Sequence, residues 1–292
     1  MRLFGVDAFH PRPLKLRQRK IRGALVTAAI KPVPGLSVTV LPTDTAVEAA
    51  LCDLVVNGAK EALIAKGAFS LAVPGGRIPT MLSALPKTQG AAEVDWTKCH
   101  LYFVNERQNE GKCCNLNRDK FAVALGIPES NIHAPIPGES PVSARAYDDE
   151  LRTTDPNVIA PGNASSAPSL DMALIGLGND GHIGSVYPNS EAASIHSTLH
   201  LVIPVDKPGK QSITMSLAMM AAARRTVIAT CGVAKVDAVA SALNLSHDSA
   251  KWQLDQHDQD QPKPWIGSPS ARLAAGPGET VWLLDEEAAT NI

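Results

Sequence analysis

The chain has 292 residues, 45% of them hydrophobic, and a formal charge of −2, which supplies ample material for a globular core. No apolar stretch approaches the roughly 20 residues of a membrane span, and the near-neutral balance gives no case for nucleic-acid binding. Five cysteines, an odd number without Cys-x-x-Cys spacing, point to reduced thiols. Cys99, His100, Cys113 and Cys114 match no metal-ligand spacing, so no metal site is expected.

Residues 1–31 hold eight basic residues (Arg2, Arg12, Lys15, Arg17, Arg19, Lys20, Arg22, Lys31) against one acid, Asp7. An acid-poor, Arg-containing start that ends in Thr27-Ala28-Ala29 has the composition of an organellar transit segment. The plainer alternative is a disordered basic tail, and a further one is an arm that docks on a protein partner. Residues 1–35 are therefore set apart as an extension, and 36–292 as the folded domain. The compartment expected is the cytoplasm or an organelle, mitochondrion or plastid, with the organelle favoured by this segment.

The folded part opens with the alternating Ser37–Leu41, read as a strand. Thr45 and Glu48 form a capping-box pattern, followed by a helix with Val47, Leu51, Leu54, Val55 and Ala62 on one face. Further strands are expected at Phe69–Val73, His100–Val104, Leu170–Ile175, Leu201–Val205, Thr226–Thr230 and Thr280–Leu284. Helices are expected from Thr80, at Leu116–Leu125, around Arg145–Leu151, at Thr214–Arg224, at Ala234–Leu245 and from Asp285. The polar, turn-rich residues 246–264 read as a surface insertion. Strands alternating with helices predict an α/β fold, a single-domain, doubly wound and mostly parallel sheet with helices on both faces, Rossmann-like in its winding.

The most informative run is Gly176-Leu-Gly-Asn-Asp-Gly-His-Ile-Gly-Ser-Val-Tyr-Pro188. Its glycines allow a tight turn at the end of a buried strand, where open α/β sheets bind ligands. His182 on that turn is the candidate acid–base group near neutral pH, with a histidine merely packed in a turn as the bland alternative. Gly176-x-Gly178-x-x-Gly181 formally matches the dinucleotide fingerprint, but Pro188 interrupts the long helix that a pyrophosphate site requires. No nicotinamide or flavin cofactor is expected.

Three other groups share that strand-end position. Pro74-Gly75-Gly76-Arg77 can present backbone N–H groups to an anion, with Arg77 adding charge, or can be a plain strand–helix connection. In Asn105-Glu106-Arg107, the arginine either grips a phosphate or carboxylate or pairs with Glu106 or another acid. Lys207 and Lys210 follow the expected strand at 201–205 and are either solvated surface or part of the same site. Together the four suggest a small phosphorylated anion as ligand.

The run Gly176–Pro188 resembles the Gly-x-Gly-x-Asp-Gly-His-Thr-Ala-Ser-Leu-Phe-Pro signature of the 6-phosphogluconolactonases, whose wider family includes the glucosamine-6-phosphate isomerases. Gly75-Gly76-Arg77-Ile78-Pro79 stands where that family has Gly-Gly-Ser-Thr-Pro, and Asn105-Glu106-Arg107 where it has Asp-Glu-Arg. Cys114-Asn115 stands for Ser-Asn. Lys207–Thr214 fits the Lys-Pro…Arg-Ile-Thr segment, and Ser270–Ala289 resembles the C-terminus. The resemblance implies a cofactor-free hydrolase of the pentose phosphate pathway, acting on a phosphorylated sugar lactone. It implies His182 and Arg107 as catalytic residues. Gly75, Gly76, Arg77, Asn105, Asp180, Lys207 and Lys210 are implied as substrate-binding.

Several polar positions depart from the pattern. Asn105 replaces an aspartate, Arg77-Ile78 replaces a Ser-Thr pair, Ser212 replaces an arginine, and the loop from Arg107 to Asn115 is about two residues short. These changes keep open a second reading, a catalytically impaired homologue serving as a structural or regulatory subunit. The two readings differ in geometry. An enzyme brings Arg77, Arg107, a lysine of the 207–210 segment and His182 to one open pocket, and a structural subunit fills or closes it. An amino-sugar isomerase ranks third, because groups for ring opening and proton shuttling are not identified in the chain.

Overall fold

A computed structural model describes residues 35–195, 197–207, 210–245 and 268–292. Residues 1–34 of the basic extension and the expected insertion at 246–264 lie outside the described residues. The strands are β1 (Leu36–Leu41), β2 (Phe69–Val73), β3 (Cys99–Phe103), β4 (Asn105–Arg107), β5 (Ile132–His133), β6 (Met172–Gly176), β7 (Val202–Lys207), β8 (Lys210–Met215), β9 (Arg225–Thr230) and β10 (Glu279–Asp285). The helices are α1 (Asp44–Lys66), α2 (Ile78–Met81), α3 (Lys112–Asn117), α4 (Val123–Leu125), α5 (Ser140–Thr153), α6 (Glu191–Ser194), α7 (Leu217–Ala221) and α8 (Val236–Leu245).

β1, β10, β9, β6, β2, β3 and β5 lie side by side in that order, all parallel. Successive residues of each strand feed opposite faces, and both faces are buried. Ala72, Tyr102, Ala173, Ile175, Ile228, Trp282 and Leu284 pack on one side with residues of α5 and α8. Leu71, Val73, Leu101, Phe103, Leu174, Val227 and Leu283 pack on the other with the buried stripe of α1. A sheet covered on both faces has near-continuously apolar strands, which is how these segments read. The predicted doubly wound α/β architecture is present.

β4, β8 and β7 form a separate antiparallel sheet. Val104 joins the two: its N–H donates to Val73 O at 2.9 Å, and its carbonyl accepts from Met215 N at 2.7 Å. The expected strand at 201–205 thus exists but belongs to this small sheet. The expected helix at Thr214–Arg224 is corrected, since Thr214 and Met215 end β8 and the helix covers only Leu217–Ala221. Ser216 is its N-cap, accepting from Met219 N at 3.2 Å.

Other element boundaries also shift. Thr43, not Thr45, caps α1, accepting from Ala46 N at 3.2 Å, and Gly67 closes the helix at φ 78°. α5 runs from Ser140 to Thr153, longer than expected, with proline in its first turn, where no N–H is needed. The helical run expected at 116–125 starts earlier, at Lys112, and contains a π-turn at Arg118–Ala122. No helix starts at Asp285. Its carboxylate accepts from Gly232 N at 2.9 and 3.0 Å and from Ala288 N at 2.8 Å, closing a turn instead.

Candidate active site

The carboxyl edge of the parallel sheet opens into a cleft of about 760 Å³. Its walls come from the loop after β2, from β4, from the glycine turn after β6 and from the β7–β8 hairpin. The residues after β9 complete it. His182, Asp180, Gly75, Gly76, Arg77, Asn105, Arg107 and Lys210 all line it, so the sequence-selected groups converge. Lys207 closes β7; its side chain lies outside the described residues.

The histidine turn is a compact, stitched structure. Gly178 N donates to His182 O at 2.8 Å, and Ile183 and Val186 exchange backbone hydrogen bonds of 3.1 and 2.8 Å. Both of these side chains are fully buried, which anchors the turn in the core. Ser185 N donates to Thr214 Oγ1 at 3.2 Å and ties the turn to β8. A Cβ on Gly178 would overlap the His182 imidazole and come within 2.6 Å of Asp180 Oδ1, so a side chain there must displace the pair. A Cβ on Gly75 would come within 2.6 Å of the Cys113 sulfur.

His182 Nδ1 lies 2.5 Å from Asp180 Oδ1, and the imidazole stands 4.8 Å from the Tyr187 ring, tilted by 34°. Asp180 also accepts from His182 N at 3.2 Å. Burial pushes the Asp180 carboxyl up, but the hydrogen bonds and charge of His182 outweigh it and hold the group below its ordinary value. An ionised Asp180 places the proton of a neutral His182 on Nδ1 and leaves Nε2 as an acceptor. The sequence assigns Asp180 to substrate; in the structure it lines the cleft and contacts His182.

Each arginine in the cleft has a carboxylate partner. Arg77 Nη2 lies 2.8 Å from Asp44 Oδ2, and Arg107 Nη1 lies 3.1 Å from Glu110 Oε2. Arg107 does not pair with Glu106. That carboxylate is buried and accepts from the N–H groups of Arg107, Cys113 and Cys114 at 2.7–2.9 Å, fixing the loop into α3. Asn105 Nδ2 reaches Ser185 Oγ at 3.4 Å. Ser212, in the place of the family's arginine, donates its hydroxyl to Val205 O at 3.2 Å.

Lys235 was missed by sequence reasoning. It follows β9, lines the cleft, and donates to Leu177 O at 2.6 Å. Burial lowers its pKa, Asp180 opposes that shift and Arg77 reinforces it. The strand-end rule that found Arg77 and His182 would have found it, since Gly232 marks the turn. The Cys113 and Cys231 thiols also line the wall, but burial pushes them up to about 12 and about 11, so neither is a thiolate nucleophile at neutral pH.

A parallel α/β sheet whose carboxyl edge carries a histidine–carboxylate pair inside a cation-lined cleft defines an α/β protein with its site where such sheets place theirs. The chain belongs to the family described as glucosamine-6-phosphate isomerases/6-phosphogluconolactonase, whose profile matches residues 42–282. It is 28% identical over 265 residues to probable 6-phosphogluconolactonase 4 of Arabidopsis thaliana, covering 87% of this chain and 94% of that one. With the 6-phosphogluconolactonase of Nostoc sp. it shares 29% over 262 residues, covering 88% and 98%. In fold it matches the 6-phosphogluconolactonase of Trypanosoma brucei with a TM-score of 0.68 at 21% identity, over 90% of this chain and all of that one. A monomeric glucosamine-6-phosphate deaminase matches with a TM-score of 0.62 at 16% identity, covering 88% of this chain and all of that one.

Proposed function

We propose that the chain is a 6-phosphogluconolactonase, opening a phosphorylated sugar δ-lactone by water attack. The observation that carries this reading is the His182–Asp180 pair facing an open cleft whose walls hold Arg77, Arg107, Lys210 and Lys235. His182 Nε2 takes a proton from water as the water oxygen attacks the lactone carbonyl. Arg107 stabilises the oxyanion that forms. Collapse breaks the ring C–O bond, and the imidazolium returns the proton to the leaving oxygen, giving the open hydroxy acid. Gly75 and Gly76 with Arg77, Lys210 and Lys235 hold the phosphate. Asp180 keeps the imidazole oriented.

The open cleft supports an enzyme over a subunit with a filled site. The arginine at position 77 and Asn105 mean that substrate is positioned differently from the family pattern, while the histidine centre is kept. Purified protein is incubated with fresh 6-phosphoglucono-δ-lactone and product is followed with a coupled dehydrogenase, beside a His182→Ala control. Hydrolysis above the spontaneous rate that vanishes in the variant supports the reading. Equal rates for wild type, variant and buffer would sink it.

Residues 36–292 make up the lactonase-like unit in this reading, and residues 1–35 are a targeting extension that directs it to an organelle. Their acid-poor composition supports this. A fluorescent fusion of the full chain should enter an organelle and lose that location without residues 1–35. The same diffuse distribution for both would reject the targeting role.

A further inference from the structure

We infer that Asp44 competes with the substrate's phosphate for Arg77 and so keeps the phosphate anchor weak enough to release product. The inference rests on the proposed lactonase reading, and it concerns a residue outside the motifs that carry the resemblance and outside the cleft lining.

Arg77 occupies the loop after β2, where its backbone neighbours Gly75 and Gly76 face the cleft. Its guanidinium bonds Asp44 Oδ2 at 2.8 Å, and both side chains are 54% exposed. Asp44 is itself held in place, because its Oδ1 accepts from Thr45 N at 2.7 Å in the first turn of α1. The pair sits beside the Lys235 end of the cleft: the charge of Arg77 bears on both Lys235 and Cys231, and that of Asp44 on Cys231. Lys235, by contrast, bonds a neutral carbonyl. Arg77 is thus a cleft cation whose charge is already matched from within the chain.

An exposed pair of this kind is weak, and a phosphate dianion that binds the guanidinium through two parallel hydrogen bonds can displace it. The displacement has a kinetic consequence. Lactone and hydroxy acid carry the same phosphate, so any strength gained at that group binds both equally and does not speed the chemical step. A bare Arg77 would hold substrate and product alike more tightly. Asp44, as an intramolecular competitor, weakens both by the same factor. It is a positioning residue that acts through Arg77.

The test is a double-mutant cycle read by calorimetric titration with inorganic phosphate and by steady-state kinetics. Asp44→Asn keeps the acceptor for Thr45 N and removes the charge. It should tighten phosphate binding about two- to fivefold, the range for an exposed pair. KM and the product-inhibition constant should fall by that same factor, with no rise in kcat. Asp44→Glu should restore wild-type values. In an Arg77→Ala background, Asp44→Asn should have no further effect, because nothing remains to compete for.

A gain of equal size in that background would assign the effect to general charge near the cleft and overturn the competition. Unchanged phosphate affinity in the single Asp44→Asn variant would also overturn it. Both results leave phosphate binding by the wild type intact, so they are distinct from failure of the lactonase reading. That failure shows as a wild type that neither binds phosphate nor opens the lactone, and it removes the inference as well.

Discussion

The two edges of the parallel sheet use the same chemistry to opposite ends. At the amino edge, Asp171 is 7% exposed and its carboxylate is fully engaged. Ser70 donates to it through N and Oγ, both at 2.9 Å, while Lys66 stands at 2.9 Å and Arg224 at 3.6 Å. At the carboxyl edge, Asp44, Glu110 and Asp180 each face one cationic or ionisable partner, half in solvent. A carboxylate saturated by several donors fixes the ends of α1, β2 and β6. A carboxylate with one partner leaves that partner's other side available to a ligand. Where charge is saturated it stabilises; where it is singly matched it can be exchanged.

The comparison predicts separable defects. His182→Ala should lower kcat/KM about 10²–10⁴-fold, the worth of acid–base assistance, and leave the thermal midpoint nearly unmoved because the side chain is 34% exposed. Asp171→Ala should do the reverse. Removing one partner of a buried ion pair costs about 3–5 kcal/mol, and the partial exposure of Lys66 and Arg224 brings the expected loss to about 2–3 kcal/mol by the same principle. Thermal unfolding would show it as a fall of several degrees with lactone turnover intact. A large activity loss in a fully folded Asp171→Ala protein would break the comparison.

Smaller effects sharpen it. Asp180→Asn should lower kcat about 10–100-fold, less than the roughly 10⁴ seen for a buried orienting aspartate, since Asp180 is largely exposed. Its titration follows from geometry. The folded carboxyl is lowered, with burial raising it and the His182 contacts lowering it by more. A carboxyl lowered by folding contributes stability that is fully present above its unfolded pKa of about 3.9 and is lost as the pH falls through the folded value. Carbon-detected NMR titration of Asp180 should therefore find the midpoint below that of a model peptide, and in His182→Ala the midpoint should rise. Tyr147→Phe should have the smallest effect, about 1–2 kcal/mol of stability, because it strips the buried Phe103 N–H of its 2.8 Å acceptor. Its turnover should match wild type.

The parallel core was legible in the sequence because each buried strand is a short apolar run bounded by turns, as Phe69–Val73 and Thr226–Thr230 illustrate. The small sheet was not. β8 pairs with β4, more than a hundred residues earlier in the chain, and local periodicity carries no trace of that pairing. Thr214 and Met215 therefore read as the start of the helix that Ser216 actually caps. The site divides in the same way. His182, Arg77, Arg107 and Lys210 announce themselves by following strands, and Lys235 obeys the same rule unnoticed. Asp44 could not be chosen beforehand, because it lies 33 residues from Arg77 and tertiary geometry brings the two together. Glu110, three residues past Arg107, is the other acid the sequence left open, while Glu106 is committed to backbone N–H groups.

Gly178 carries a consequence for inheritance. Every amino acid other than glycine brings a Cβ, and there a Cβ overlaps the His182 imidazole. Every missense change of the Gly178 codon, even to alanine, therefore moves the imidazole off its place. In a population-scale mutational scan under selection for this gene's activity, that codon should be as barren of survivors as the histidine codon itself, although glycine contributes no reactive atom.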